Sequence, residues 1–485
     1  MGNNRPSFKR QLSQTHVWAL AFGCIIGWGA FINPGKKFLP NSGVEGTAIA
    51  MVLGAAVMII LAFAYAYMVP KYPKAGGEFN YTKNCFGKIP AYICGWFLLS
   101  AYLTNVPMNS TAIGLIVDGL DGNADILKWG FHYSIAGFDV WLGEMILAMT
   151  ILILFGVLNI LGVRKAGFIQ TILASMLAGC VFMLTTAAIF SDKASMLNMA
   201  PMWGFDRASA IAAGATRETI DAFAHVGRQG MISAILATFA IAPWAFVGFE
   251  TIPQAAEEFK FPYKKVMLIM TVAIFFGCFV YIANNTVAAA AVANWPDRVI
   301  AGDWVLLIGA EALLGTLGKV LLGLAVSSAV LSGIMGFYLA SSRLMYSMSR
   351  DGYLPKMFSE IDEKYGTPKN AMIFCIIISL SGPILGREAL GWFVDMSAIG
   401  ASIGFFFTAA STLVTMKKDN DGSALLKTMA ILGVIFSITF VILQLVPIPG
   451  LKGVHFGKES YLMLVVWIII GIAFFFKQRR YFWSK

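Results

Sequence analysis

One carboxylic acid in this chain stands where the sequence offers it no water. Glu250 lies in the run Ala242-Pro243-Trp244-Ala245-Phe246-Val247-Gly248-Phe249-Glu250-Thr251-Ile252-Pro253, inside an apolar stretch from 231 to 256. A charge at the centre of a bilayer costs at least about 2.5–3.5 kcal/mol on insertion scales, so such a carboxyl needs a partner, a water-filled cavity or a proton. The same run cannot hold a regular helix. Pro243 removes a helix hydrogen bond, Gly248 loosens the turn and Pro253 disrupts the next one. A second weak point is Gly23-Cys24-Ile25-Ile26-Gly27-Trp28-Gly29-Ala30-Phe31, followed by Asn33-Pro34-Gly35. Each glycine in a helix interior costs about 1 kcal/mol. Close packing between helices is one use for them. An unwound segment is the other: one half-helix then offers free N–H groups to an anion and the other half offers free carbonyls to a cation. An amino acid carries both charges and fits both ends.

Other chemistry is poorly supported by residue type. The four histidines, His16, His132, His225 and His455, fall mostly in loops. The six cysteines (Cys24, Cys85, Cys94, Cys180, Cys278, Cys375) show no CxxC spacing and sit mainly in apolar runs, as packing residues do. No catalytic set, metal site or cofactor motif assembles, so the expectation is a non-enzyme without cofactor. A channel needs a continuous polar lining, and beyond Asn105, Asn109, Glu250, Asn284 and Asn285 the apolar runs offer little.

The elements that must position these residues are set by composition. Hydrophobic residues make up 58% of the 485 and charged residues 13%, with mean hydropathy +0.73. Soluble domains carry about 25% charged residues, so this surface belongs in lipid. Apolar runs at about 16–40, 44–69, 89–117, 142–161, 167–190, 231–256, 264–293, 317–346, 369–386, 392–416, 426–447 and 460–477 give twelve candidate spans. The net charge of +10 follows the positive-inside rule better than it suggests nucleic acid. With a cytoplasmic N-terminus, the inside segments hold 24 of the 36 basic residues, among them Arg5, Arg164, Lys165, Arg343, Arg350, Arg479, Arg480 and Lys485. Lys36 and Lys37, at the outer end of the first span, are the exception. Asp118, Asp121 and Asp125 fall in an outer loop, and a short surface helix is expected in 204–230.

Together the motifs identify a family. Gly23 to Phe31, Ala75-Gly76-Gly77-Glu78-Phe79-Asn80-Tyr81, Asn159-Ile160-Leu161-Gly162, and Ser342-Arg343-Leu344-Met345-Tyr346 through Asp351-Gly352-Tyr353-Leu354-Pro355 resemble the amino acid–polyamine–organocation superfamily over residues 10 to about 415. The stretch Trp244 to Glu250 is most similar to its arginine–agmatine antiporter and amino acid exchanger branch.

The resemblance implies an all-α, leucine-transporter-like fold of twelve transmembrane helices, a 5+5 inverted repeat plus two C-terminal helices, with helices one and six broken. It divides the chain into a cytoplasmic N-terminus (1–15), a first repeat (16–190), an extracellular loop (191–230), a second repeat (231–416) and helices eleven and twelve with the C-terminus (417–485). Both termini are expected in the cytoplasm and the protein in the plasma membrane, a bacterial inner membrane. The implied function is secondary transport of an amino acid or related amine, by exchange or proton-coupled symport. A sodium-coupled symporter, a sensor or a channel of the same fold is the alternative. Partners are then the small substrate, membrane lipid and protons, with no nucleic acid.

The implied site places a carboxylate on the amides of Gly27, Trp28 and Gly29. Its amine lies on carbonyls near Ile25, Ile26 and Trp244, Ala245, Phe246 and Val247, beside Gly248. Trp244 corresponds to a gating tryptophan, Glu250 to a proton-responsive glutamate and Asn105 to a substrate-contacting asparagine. Trp28 departs from the family, which has a small residue there; a ring at this position narrows the pocket or closes its lid. The lysine that replaces sodium in some relatives has no counterpart in Leu173 to Gly179. Ser327, Ser328 and Ser332 are the sodium candidates, although hydroxyls in membrane helices more often bond their own backbone.

Overall fold

The computed structural model describes residues 8–120, 122, 125–135, 137–387, 389–447 and 455–478. Arg5, Asp121, Arg479, Arg480 and Lys485 of the charge pattern lie outside these residues. Among the described residues nine helices are long and apolar enough to cross a membrane, or ten if the bent pair Gly227–Phe239 and Ala242–Glu258 is one span. The first apolar run begins in a helix too short to span alone, and the run at 369–386 forms a shorter apolar helix.

Helix α1 (Gln14–Ile25) starts where the Ser13 hydroxyl accepts from the His16 N–H at 3.2 Å, which satisfies one of the donors a helix start leaves free. After a gap come α2 (Gly29–Asn33), a π turn (Pro34–Phe38) and α3 (Leu39–Lys71). From Gly29 to Lys71 the helical run is 43 residues, about 65 Å if straight, twice the ~30 Å of bilayer hydrocarbon. It therefore turns, and it does so at Gly43, whose φ of +63° suits glycine and whose missing Cβ leaves room for the Met202 backbone. The turn falls between the expected runs 16–40 and 44–69.

Helices α4 (Gly77–Phe86) and α5 (Lys88–Leu120) follow. The next segment departs from an all-helical chain. Strands β1 (His132–Ile135) and β2 (Phe138–Trp141) pair antiparallel in the loop expected outside. Helices α6 (Leu142–Ile160) and α7 (Val163–Phe190) are separated at Gly162, φ +123°, as the polar turn there suggested. The expected surface helix in 204–230 is α8 (Arg207–Ala212). Then come α9 (Gly227–Phe239), α10 (Ala242–Ala245), a 3-10 stretch (Phe249–Glu258) and α11 (Val266–Ala290). Two connecting helices, α12 (Trp295–Ala301) and α13 (Val305–Leu314), lead into α14 (Thr316–Arg350). The chain continues through α15 (Lys369–Ser379), α16 (Ser381–Leu385), α17 (Ala389–Asp419), α18 (Ala424–Leu445) and α19 (Lys458–Lys477).

Burial sorts these helices. α5 and α14 are mostly enclosed, whereas α18 and α19 are mostly exposed. Phe182 and Phe190 on α7, Phe275 on α11 and Leu462 on α19 are large apolar side chains on the outside, the surface a bilayer covers. α19 is held by indole stacking of Trp96 on Trp467, with ring centroids 4.6 Å apart. All six cysteines are free, five of them buried, as expected of packing residues.

Candidate functional site

Both predicted breaks exist and they face each other. α1 stops at Ile25 and α2 starts at Gly29, while the α9–α10 segment bends by 42° and Gly248 takes φ +140° before the 3-10 stretch begins. Contact at the breaks is backbone on backbone. A Cβ on Gly248 would stand 2.5 Å from the Ile25 nitrogen and 2.6 Å from the Cys24 carbonyl carbon, so only glycine permits the approach.

Unwinding leaves polar backbone free. Among the described residues the N–H groups of Gly27, Trp28 and Gly29 donate to no protein acceptor. The carbonyls of Ile26, Ala245, Phe246 and Val247 accept from no protein donor. The Ile25 carbonyl has only a long 3.5 Å contact with the Tyr281 hydroxyl. Buried backbone groups are nearly always paired, so this concentration of unpaired ones is a place for a ligand that donates at one end and accepts at the other.

The side chains around the breaks divide into those already engaged and those not. The Glu250 carboxyl is fully buried; Oε2 accepts the Gly248 N–H at 2.8 Å and Oε1 has no partner among the described residues. Asn105 is engaged, its amide donating to the Ala101 carbonyl at 2.7 Å and to the Ser397 hydroxyl at 2.6 Å. Asn109, one helical turn further, was not singled out for the site by its sequence context. It lies closer to the break, with Oδ1 unpartnered and 3.1 Å from where a Gly27 Cβ would be. The three serines are unequal. Ser328 donates to its own helix at Leu324, and Ser332 donates to the Gly23 carbonyl at 3.1 Å and to Ala329. Ser327 is only half-buried.

On one side of the breaks a vestibule of about 480 Å³ leads down to Trp28 and Trp244. Their rings stand 6.1 Å apart, tilted by 55°, and the Trp244 ring packs directly on Gly29. Trp28 is thus a floor residue beside Trp244. Lys36 and Lys37, the exceptions to the charge rule, line this vestibule together with Arg207 and Arg387. The opposite side is sealed. Gln11 and Leu12 donate backbone bonds to the Glu258 carbonyl, and Lys260 donates back to Leu12 at 2.9 Å. Arg343 pairs with Glu258 at 2.8 Å, both about 1% exposed. Arg350 pairs with Glu257 and Lys83 with Asp351. These ties join residues up to 268 positions apart, and nothing in local sequence announced them except that Arg343 and Asp351 stand in a recognised motif.

Multiple apolar helices, two interrupted segments meeting through their backbones, and a cavity open to one side define a multi-pass membrane protein. The chain belongs to the amino acid permease family, whose model matches residues 12–475, within the amino acid–polyamine–organocation superfamily. The vacuolar cationic amino acid transporter 2 of Arabidopsis thaliana is 26% identical over 420 residues, 84% of this chain and 59% of that protein. The human large neutral amino acids transporter small subunit 2 is 26% identical over 381 residues, 78% of this chain and 65% of that protein. The branched-chain amino acid permease BcaP of Bacillus subtilis (strain 168) is 23% identical over 497 residues, covering 99% and 95%. The chain thus spans about three fifths of the plant and human relatives' length and nearly all of the bacterial one's.

Proposed function

We propose that this protein is a secondary active transporter of an amino acid or related amine, working by alternating access through exchange or proton-coupled symport. The observation that carries this reading is the pair of opposed breaks, with free amides at Gly27 to Gly29 and free carbonyls at Ile26 and Ala245 to Val247. A substrate α-carboxylate would sit on the amides and its ammonium on the carbonyls. Trp244, with Trp28 beside it, would cover the substrate from outside. Asn109 supplies an acceptor at the same place, while Asn105 serves mainly to tie α5 to α17. The relatives named above carry amino acids by name, which agrees with a ligand bearing both charges.

In this reading the chain has twelve spans in a 5+5 inverted repeat with two further helices, both termini cytoplasmic, in the plasma membrane. The boundaries are those given above, 16–190 and 231–416 for the repeats. Glu250 is the proton-responsive group: ionised in the described conformation it would be a buried charge without a counter-ion, which costs several kcal/mol. Sodium coupling is the lesser reading, since the Ser328 and Ser332 hydroxyls already donate to protein carbonyls.

The test is reconstitution into liposomes, with labelled cationic, neutral and acidic amino acids and polyamines offered under exchange conditions and under proton and sodium gradients. Uptake or exchange of one class is the expected result. Absence of any flux under every gradient defeats the proposal.

A further inference from the structure

A second fully buried carboxyl lies in the inner seal, outside the membrane-spanning segments. Glu78 sits in the first turn of α4 and is fully buried. Tyr65 of α3 donates its hydroxyl to Oε1 at 2.8 Å, and Gln254 of the 3-10 stretch donates its amide to Oε2 at 2.6 Å. Through these bonds Glu78 joins three elements, and Gln254 reaches further to the Tyr102 hydroxyl of α5 at 3.3 Å. That hydroxyl in turn donates to the Glu250 backbone carbonyl at 3.3 Å.

The groups facing Glu78 are acidic or neutral. Tyr65, Tyr81, Cys94 and Tyr102 surround it, and Glu250 adds a like charge when ionised. Three cations of the same layer are taken: Arg343 by Glu258, Arg350 by Glu257 and Lys83 by Asp351. Among the described residues no ion pair includes Glu78. Burial pushes its carboxyl up to about 8, more than the Tyr65 and Gln254 hydrogen bonds pull it down. Near neutral pH burial therefore favours the protonated carboxyl while the layer is closed. Once the layer opens to water, nothing holds the proton above the ordinary carboxylate range.

We propose that Glu78 is a second proton-binding group of the transport cycle, which takes one proton from the cytoplasm as the inner layer closes and returns it as the layer opens. Only an O–H bond is made and broken, and the proton comes from and goes to water on the same side. The proposal rests on the alternating-access reading but not on a coupling role for Glu250. Its consequence is that cytoplasmic acidity holds the inner gate shut and alkalinity frees it.

The seal itself gives the readout, with no need to know the substrate. Hydrogen–deuterium exchange on the purified protein, corrected for intrinsic rates, follows the amides of Gln11, Leu12 and Lys260 that tie the N-terminal segment to the end of the 3-10 stretch. Opening that releases a proton becomes about tenfold easier per pH unit within the window between the open and closed proton affinities. Protection in the wild type should fall about tenfold per unit from pH 6 to about 8 and then level. Glu78→Gln, a permanently neutral mimic, should abolish the slope and keep protection high. Gln254→Leu removes a donor to the carboxylate and should move the levelling point up by about one pH unit. Monodisperse elution checks that the variants fold. Flat wild-type protection, or an unchanged slope in Glu78→Gln, overturns the proposal. Liposome flux is measured in parallel: flux with a flat protection profile overturns the Glu78 proposal and leaves the transporter reading standing, whereas a sloped profile without flux of any amino acid or polyamine sinks the transporter reading and, with it, the place of Glu78 in a transport cycle.

Discussion

Replacing Gly248 by alanine tests whether the facing breaks are the working centre of the molecule. A Cβ there meets three backbone or near-backbone atoms, the Ile25 nitrogen at 2.5 Å, the Cys24 carbonyl carbon at 2.6 Å and the Cys24 Cβ at 2.7 Å. Ordinary contact begins at 3.4 Å, so the two broken helices must part by about 1 Å, and backbone cannot rotate aside as a side chain would. A φ of +140° in a non-glycine residue adds strain. Strain and overpacking together come to about 2–6 kcal/mol. At 1.4 kcal/mol per factor of ten, the middle of that range depopulates this conformation by roughly a thousandfold. Gly248→Ala should therefore lose exchange activity in liposomes by at least about thirtyfold and melt earlier in detergent. The control is Gly179→Ala in α7, where a Cβ would meet nothing within 4 Å; it should be neutral or gain up to about 1 kcal/mol. If Gly248→Ala exchanges within about threefold of wild type and melts with it, the breaks do not meet as described and the site built on them falls.

Three further outcomes follow from the same geometry. Arg343→Met leaves Glu258 charged and buried, a loss of about 3–5 kcal/mol, and should lower the melting temperature more than the double variant Arg343→Met/Glu258→Gln; equal losses would mean that the pair is not enclosed. Glu250→Gln should elute as a folded monodisperse protein yet show a flattened pH dependence of transport, and an unchanged pH profile removes Glu250 from coupling. Trp244→Leu takes away the ring that packs on Gly29, so substrate affinity should weaken by about tenfold in a competition assay; identical kinetics would reduce Trp244 to packing.

The breaks were legible in the sequence because their causes are local. Pro243 lacks a donor, Gly27, Gly29 and Gly248 lack a Cβ, and these facts hold wherever the chain goes. The apolar runs were legible for a similar reason, since bilayer thickness fixes the length of a span. Trp28 was visible as an oddity, but its partner was not. Its neighbour across the vestibule floor, Trp244, is more than two hundred positions away. Asn105 looked like a contact residue by its place in α5, and only the structure shows that its amide is taken by Ala101 and Ser397, whereas Asn109 donates its amide to the Asn105 carbonyl and keeps Oδ1 without a partner among the described residues.

By itself the sequence determined that the chain is a membrane protein, that its sixth apolar run cannot be a continuous helix while its first is weakened by glycine, and that one carboxyl lies deep within the sixth. It did so because hydropathy, proline and glycine act over a single turn or a single span. Only the tertiary structure decided what the breaks face, which polar groups stay unpaired, and that Glu78 and Glu258 are both buried on the side opposite the vestibule, one held by Tyr65 and Gln254 and the other by Arg343. A buried carboxyl's state depends on what packs against it in three dimensions. For Glu78 the donor Gln254 is 176 residues along the chain, and for Glu258 the cation is 85, beyond the reach of any local pattern.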